Sequence, residues 1–117
     1  MTIHRALFSL YDKTGAAAFA RELERLGVEI LASSGTARLL AEERVPVTPL
    51  ESLTGFGELL GHRVVTLHPA VHAGILARRD APADLAELEA HGIAPIDLVC
   101  VNLYPFERTV GRLDVAW

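Results

Sequence analysis

His68 and His72 stand four residues apart in GHRVVTLHPAVHAGIL (residues 61–76), with Arg63 and Thr66 just before them. On a helix that spacing puts both imidazoles on one face. Zinc proteases use it as H-E-x-x-H, where a glutamate beside the first histidine is the general base. Here the residues between are Pro69, Ala70 and Val71. They offer no carboxylate, and no third ligand stands nearby, so neither a metal nor another cofactor is expected. His68 is placed to cap a helix that Pro69 opens, and His72 to be a core or pocket-wall imidazole that satisfies a carbonyl.

Three other stretches carry groups that can bind or react. SSGTA (residues 33–37) offers hydroxyls and backbone N–H groups where a strand gives way to a helix. The partial positive charge of the helix start makes that a good shape for a phosphate, and a plain N-cap accounts for the same residues without a ligand. Lys13 follows Asp12 in SLYDKTG and can reach such a phosphate as a point charge; a solvated surface pair is the alternative. NLYPF (residues 102–106) brings an amide, a phenol and aromatic surface to the end of an apolar run. It can recognise a planar heterocycle, though on these residues alone a turn with core-filling aromatics is the simpler reading. Cys100, the single cysteine, lies within DLVCV and reads as a small buried hydrophobe; it excludes an internal disulfide.

The elements that must hold these groups alternate. RALFSL (5–10) reads as a strand. The helix after it places Phe19, Leu23 and Leu26 on one face, with Thr14 as its cap and Gly27 as its left-handed stop. A strand over 28–33 and a helix over 35–43 follow. Pro46 and Pro49 limit the next segment to a short edge strand. Residues 51–61 read as loop plus one helical turn, 69–77 and 83–92 as helices. IDLVCVNL (96–103) has the unbroken apolar character of a strand buried on both faces. This order predicts an α/β domain with a mostly parallel central sheet flanked by helices. In such folds ligands sit beyond the carboxyl ends of the strands. Adjacent parallel strands would bring the Lys13 turn and the SSGTA turn together.

The chain has 117 residues, enough for one domain that buries roughly two thirds of its unfolded surface. Half of the residues are hydrophobic and the net charge is −4, so no basic stripe exists to hold nucleic acid. No apolar run reaches the ~20 residues of a membrane span and no signal peptide opens the chain, which makes the cytoplasm the default compartment.

Taken together and in order, DKTG, GTA, TGF, RV-TLHPAVHAGILARR, GIAPIDLV and VNLYPF resemble the inosine-monophosphate (IMP) cyclohydrolase domain at the N-terminus of the bifunctional purine biosynthesis proteins. The resemblance covers about residues 4–110. It implies a methylglyoxal-synthase-like α/β fold and closure of the second purine ring: a carboxamide nitrogen of formyl-AICAR attacks the formyl carbon, water leaves and IMP forms. It implies a purine nucleotide as ligand and a homodimer as assembly. By the resemblance Lys13, Ser33, Gly35 and Thr36 hold the nucleotide phosphate, and Arg63 and Thr66 line the same pocket. Asn102 and Tyr104 lie near the base, with Tyr104 the catalytic candidate. The chain departs from the family at three positions. Val65 replaces a lysine that would face developing negative charge, Tyr11 replaces a serine, and Ser34 replaces a glycine. The family pattern continues past residue 117 with further catalytic groups and a formyltransferase domain, so residues 1–117 are expected to form one domain truncated at its C-terminal end. Two other functions share this fold: a nucleotide-binding or regulatory module without turnover, and a methylglyoxal synthase-like lyase.

Overall fold

The computed structural model describes residues 2–57, 59–60 and 65–102. Arg63 and Tyr104 lie outside them. Four strands, β1 (Arg5–Ser9), β2 (Glu29–Ala32), β3 (Thr48–Pro49) and β4 (Leu98–Val101), form one sheet in the order β3-β2-β1-β4. Every pairing is parallel. The helices are α1 (Ala16–Arg25), α2 (Ser34–Glu42), α3 (Glu51–Thr54), α4 (Pro69–Leu76) and α5 (Pro82–Ala90). The sequence reading of an α/β domain with a flanked parallel sheet therefore holds, as do the short edge strand at Pro49 and the single helical turn after it.

Period-two alternation along the central strands builds a core on each face of the sheet. Ala6, Phe8, Ile30 and Ala32 face α1 and α2, where Ala20, Leu23 and Leu40 complete one cluster. Leu7 and Leu31 face the other way and pack with Leu50, Val71 and Ile96. On that second face α4 comes very close to the chain leading into β4. A Cβ built on Gly74 would stand 3.0 Å from the Ala94 carbonyl oxygen, and the Gly74 carbonyl accepts the Ile96 N–H at 2.9 Å.

Asp97 ties the amino-terminal edge of the sheet together. Its carboxylate accepts the His4 and Arg5 N–H groups at 2.9 and 3.2 Å and pairs with Arg79 at 3.4 Å. Burial works to raise its pKa, but the bonds from His4, Arg5 and Arg79 outweigh that and hold the carboxyl below its ordinary value.

Four expectations need correction. The buried stripe of α1 is Ala16, Ala20 and Leu23, whereas Phe19 is 43% and Leu26 79% exposed. Small alanines let the helix lie close to the sheet; Phe19 sits at the margin and touches Phe8, ring centroids 5.7 Å apart. Thr14 does not cap α1. Gly15 does so, in a left-handed conformation, because Thr14 bonds to Asp12 instead. His72 is exposed rather than part of a core or pocket wall, since α4 buries only Val71 and Gly74. Finally, β4 is not covered on both faces by the described residues. Leu98 and Cys100 pack inward, while Val99 and Val101 are 42% and 58% exposed. β4 lies at the sheet's edge, paired with β1 alone among the described residues.

Candidate functional site

The carboxyl edge of the sheet gathers the turn after β1, the turn after β2 and the end of β4. The first turn is shaped from within. Asp12 accepts both the hydroxyl and the N–H of Thr14, at 2.7 and 2.9 Å, which hold its carboxyl below the usual value. That fold-back points Lys13 across the edge. Its ammonium donates to the carbonyls of Leu10 and Tyr11 at 3.0 and 3.3 Å. An ammonium has three N–H donors, so one remains.

Lys13 lies directly over the second turn. A Cβ on Gly35 would sit 3.6 Å from Lys13 Cε and 3.8 Å from Nζ. Glycine here leaves the start of α2 open beneath the lysine, and the first N–H groups of a helix have no intrahelical acceptor. A cation and a helix start thus converge, an arrangement suited to an anion. Ser34 is the first residue of that helix.

Two hydroxyls of the second turn are engaged inside the protein. Thr36 is 1% exposed and its Oγ1 accepts the Leu10 N–H at 3.3 Å, which joins α2 to the first turn from below. Ser33 occupies the N-cap position of α2 but makes no side-chain cap bond. Its Oγ donates to Ser9 Oγ at 3.4 Å, and its N–H to the Phe8 carbonyl at 3.2 Å. Lys13, Ser33, Gly35 and Thr36 therefore share one place, with different accessibility.

Asn102 joins the same place from β4. Its Oδ1 accepts the N–H groups of Tyr11 and Asp12 at 2.9 and 3.2 Å, and its Nδ2 donates to the Asp12 carbonyl at 2.6 Å. Both ends of the amide are spent on the turn that carries Lys13. Sequence reasoning placed Asn102 near a base and missed this clamp; an amide ending an apolar strand beside a polar turn was the available signal. The tie made by Thr36 had no such signal, because a threonine at a helix start is common.

Val65 and Thr66 are half-buried. Val65 packs against the Leu7–Leu31 cluster and lines a cleft with Ser33, Ser34, Leu50 and Phe56. The cavity there is about 20 Å³, room for about one water. Val65 thus faces the second turn with an apolar side chain. His68 caps α4, its Nδ1 accepting the Ala70 N–H at 3.0 Å, as its place before Pro69 suggested. No group of three or more potential metal-binding side chains is found among the described residues. Cys100 is half-buried, and burial pushes its thiol pKa up, away from the reactive thiolate. No described helix is long and apolar enough to cross a membrane.

Comparison with known proteins gives one consistent result. The family model for the MGS-like domain matches residues 15–116. The chain is 58% identical over 111 residues to the bifunctional purine biosynthesis protein PurH of Chloroflexus aurantiacus, and 59% identical over 111 residues to PurH of Neisseria meningitidis. Each alignment covers 95% of this chain and 22% or 21% of the relative. The chain therefore spans about a fifth of the length of the curated relatives it matches. Among solved structures, the crystal structure of ForH is similar with a TM-score of 0.77 and 41% identity, covering 88% of this chain and 54% of that one.

Proposed function

Because the chain belongs to the MGS-like domain family, with PurH proteins among its relatives, we propose that it binds a purine nucleotide at the carboxyl edge and closes the second ring of formyl-AICAR to give IMP. The observation that carries this reading is the stacking of Lys13 over Gly35, which makes one anion-friendly cleft from two turns. In this mechanism the 5′-monophosphate sits at the start of α2. Lys13 turns its remaining N–H, or trades a loop carbonyl, toward a phosphate oxygen; charge-assisted bonds of this kind are worth about 1.5–3 kcal/mol. Ser33 and the first N–H groups of α2 complete the grip. The base extends toward the end of β4, and Tyr104 is the residue proposed to polarise the reacting group. Carboxamide nitrogen adds to the formyl carbon, and the former formyl oxygen leaves as water. Arg63 and Thr66 are proposed to line the same pocket. The nucleotide is the proposed partner, held in a cytoplasmic homodimer.

Val65 favours a second reading, a nucleotide-binding module that does not turn over. Valine offers no charge to an oxygen gaining electrons, and one lost oxyanion-stabilising donor costs roughly 10²–10³ in rate. One experiment separates the two. Purified protein mixed with formyl-AICAR should deplete it and release IMP, followed by absorbance and chromatography. Tight binding without IMP assigns the module; neither binding nor turnover overturns both.

A further inference from the structure

A larger cavity lies away from this cleft. About 510 Å³ of half-open space lies between α3, the start of α4 and the turn that follows α5, with Arg5 at its edge. That is the size of an ordinary small-molecule site. Among the described residues its charge character is one-sided: Arg5, His68 and His91 line it, and none of the described lining residues is acidic. Leu53 and Ile93 supply apolar wall.

One donor, His68, is already oriented. His68 Nδ1 accepts the Ala70 N–H, so the ring proton sits on Nε2, which has no partner among the described residues. The His91 ring has none either. Arg5 is mostly buried, with a side-chain exposure of 13%, and its internal contacts are stretched. Nη1 reaches the Ala94 carbonyl at 3.4 Å, and Nη2 and Nε approach Glu29 at 3.5 and 3.4 Å. Nε itself is buried without a hydrogen bond. Glu29 is half-exposed and holds the guanidinium loosely, so an oxyanion entering the cavity can compete for it.

We propose that this cavity is a second binding site, specific for a small oxyanion carried on an apolar body. The oxyanion takes donors from His68, His91 and Arg5, and the body lies against Leu53 and Ile93. The site is independent of the nucleotide cleft and uses none of its residues.

Phenyl phosphate and inorganic phosphate, titrated separately into the intact chain and followed by amide and imidazole NMR, test it. The expected result is saturable shifts at His68, His91, Gly92 and Ile93, with phenyl phosphate the tighter of the two. His91→Ala, at an exposed position, should weaken phenyl phosphate roughly tenfold or more, and Arg5→Gln should do the same if it folds. Lys13→Ala should leave these shifts in place. Shifts confined to residues 13 and 33–36, unchanged affinity in His91→Ala, or equal affinity for the two probes would each overturn the proposal.

Discussion

At the scale of single residues, the cleft separates groups that offer themselves from groups that hold others. Lys13 is of the first kind. Lys13→Ala should weaken nucleotide binding at least roughly tenfold, while His72→Ala, which changes an exposed side chain, should leave it unaltered; titration calorimetry on the two variants checks this. Asn102 is of the second kind. Asn102→Ala removes three bonds from the first turn, so the amides of Tyr11 and Asp12 should exchange with solvent faster and nucleotide affinity should fall with them. Val65→Lys is the informative gain. An ammonium on that side of the second turn should raise IMP formation if a missing charge limits the rate, and the formyl-AICAR assay reads it directly. The residue types of this site were legible in the sequence because DKTG and SSGTA each announce a polar turn after an apolar run. What was not legible is which hydroxyls are free. Thr36 and Ser33 look alike as helix-start residues, and only the packing of β1 beside β2 turns one inward under Leu10 and the other toward Ser9.

At the scale of elements, hydrophobic period and punctuation by proline and glycine located nearly every helix and strand. The failures share a cause. A helical wheel cannot say how closely a helix approaches its sheet, so Phe19 outranked the alanines that make the contact. Likewise an apolar strand does not reveal its place in the sheet, which is how β4 was assigned cover on both faces. Helix α4 gives the sharpest test of packing. Gly74→Ala puts a methyl 3.0 Å from the Ala94 carbonyl and about 3.3 Å from Ile96, and should destabilise the fold by about 1–3 kcal/mol in urea titrations. An equal or higher midpoint would mean that the α4 contact is slack.

For the whole molecule, acid is the informative variable. The carboxyls of Asp12, Asp97 and Asp84, the last bonded to Arg78 at 3.1 Å, are all held below their ordinary value. A carboxyl depressed by folding adds stability above the unfolded pKa of about 3.9, and that contribution is lost as pH falls through the lower folded value. Asp12 and Asp84 are solvated, so Asp97 should dominate. Urea midpoints measured from neutral pH down to pH 3 should fall, and Asp97→Asn should lower the neutral midpoint and flatten the slope. The domain-level fold was readable because strands and helices follow one another from β1 to β4 among the described residues; the second cavity was not, since Arg5, His68 and His91 are far apart in sequence and no motif joins them.

Thr36 beneath Leu10 and Asn102 behind Tyr11 mean that the two carboxyl-edge turns are fastened before any ligand arrives. A guest there has little chain left to freeze. Its association should be quick, with a small entropic penalty and almost no rearrangement of the amide spectrum beyond the contact itself.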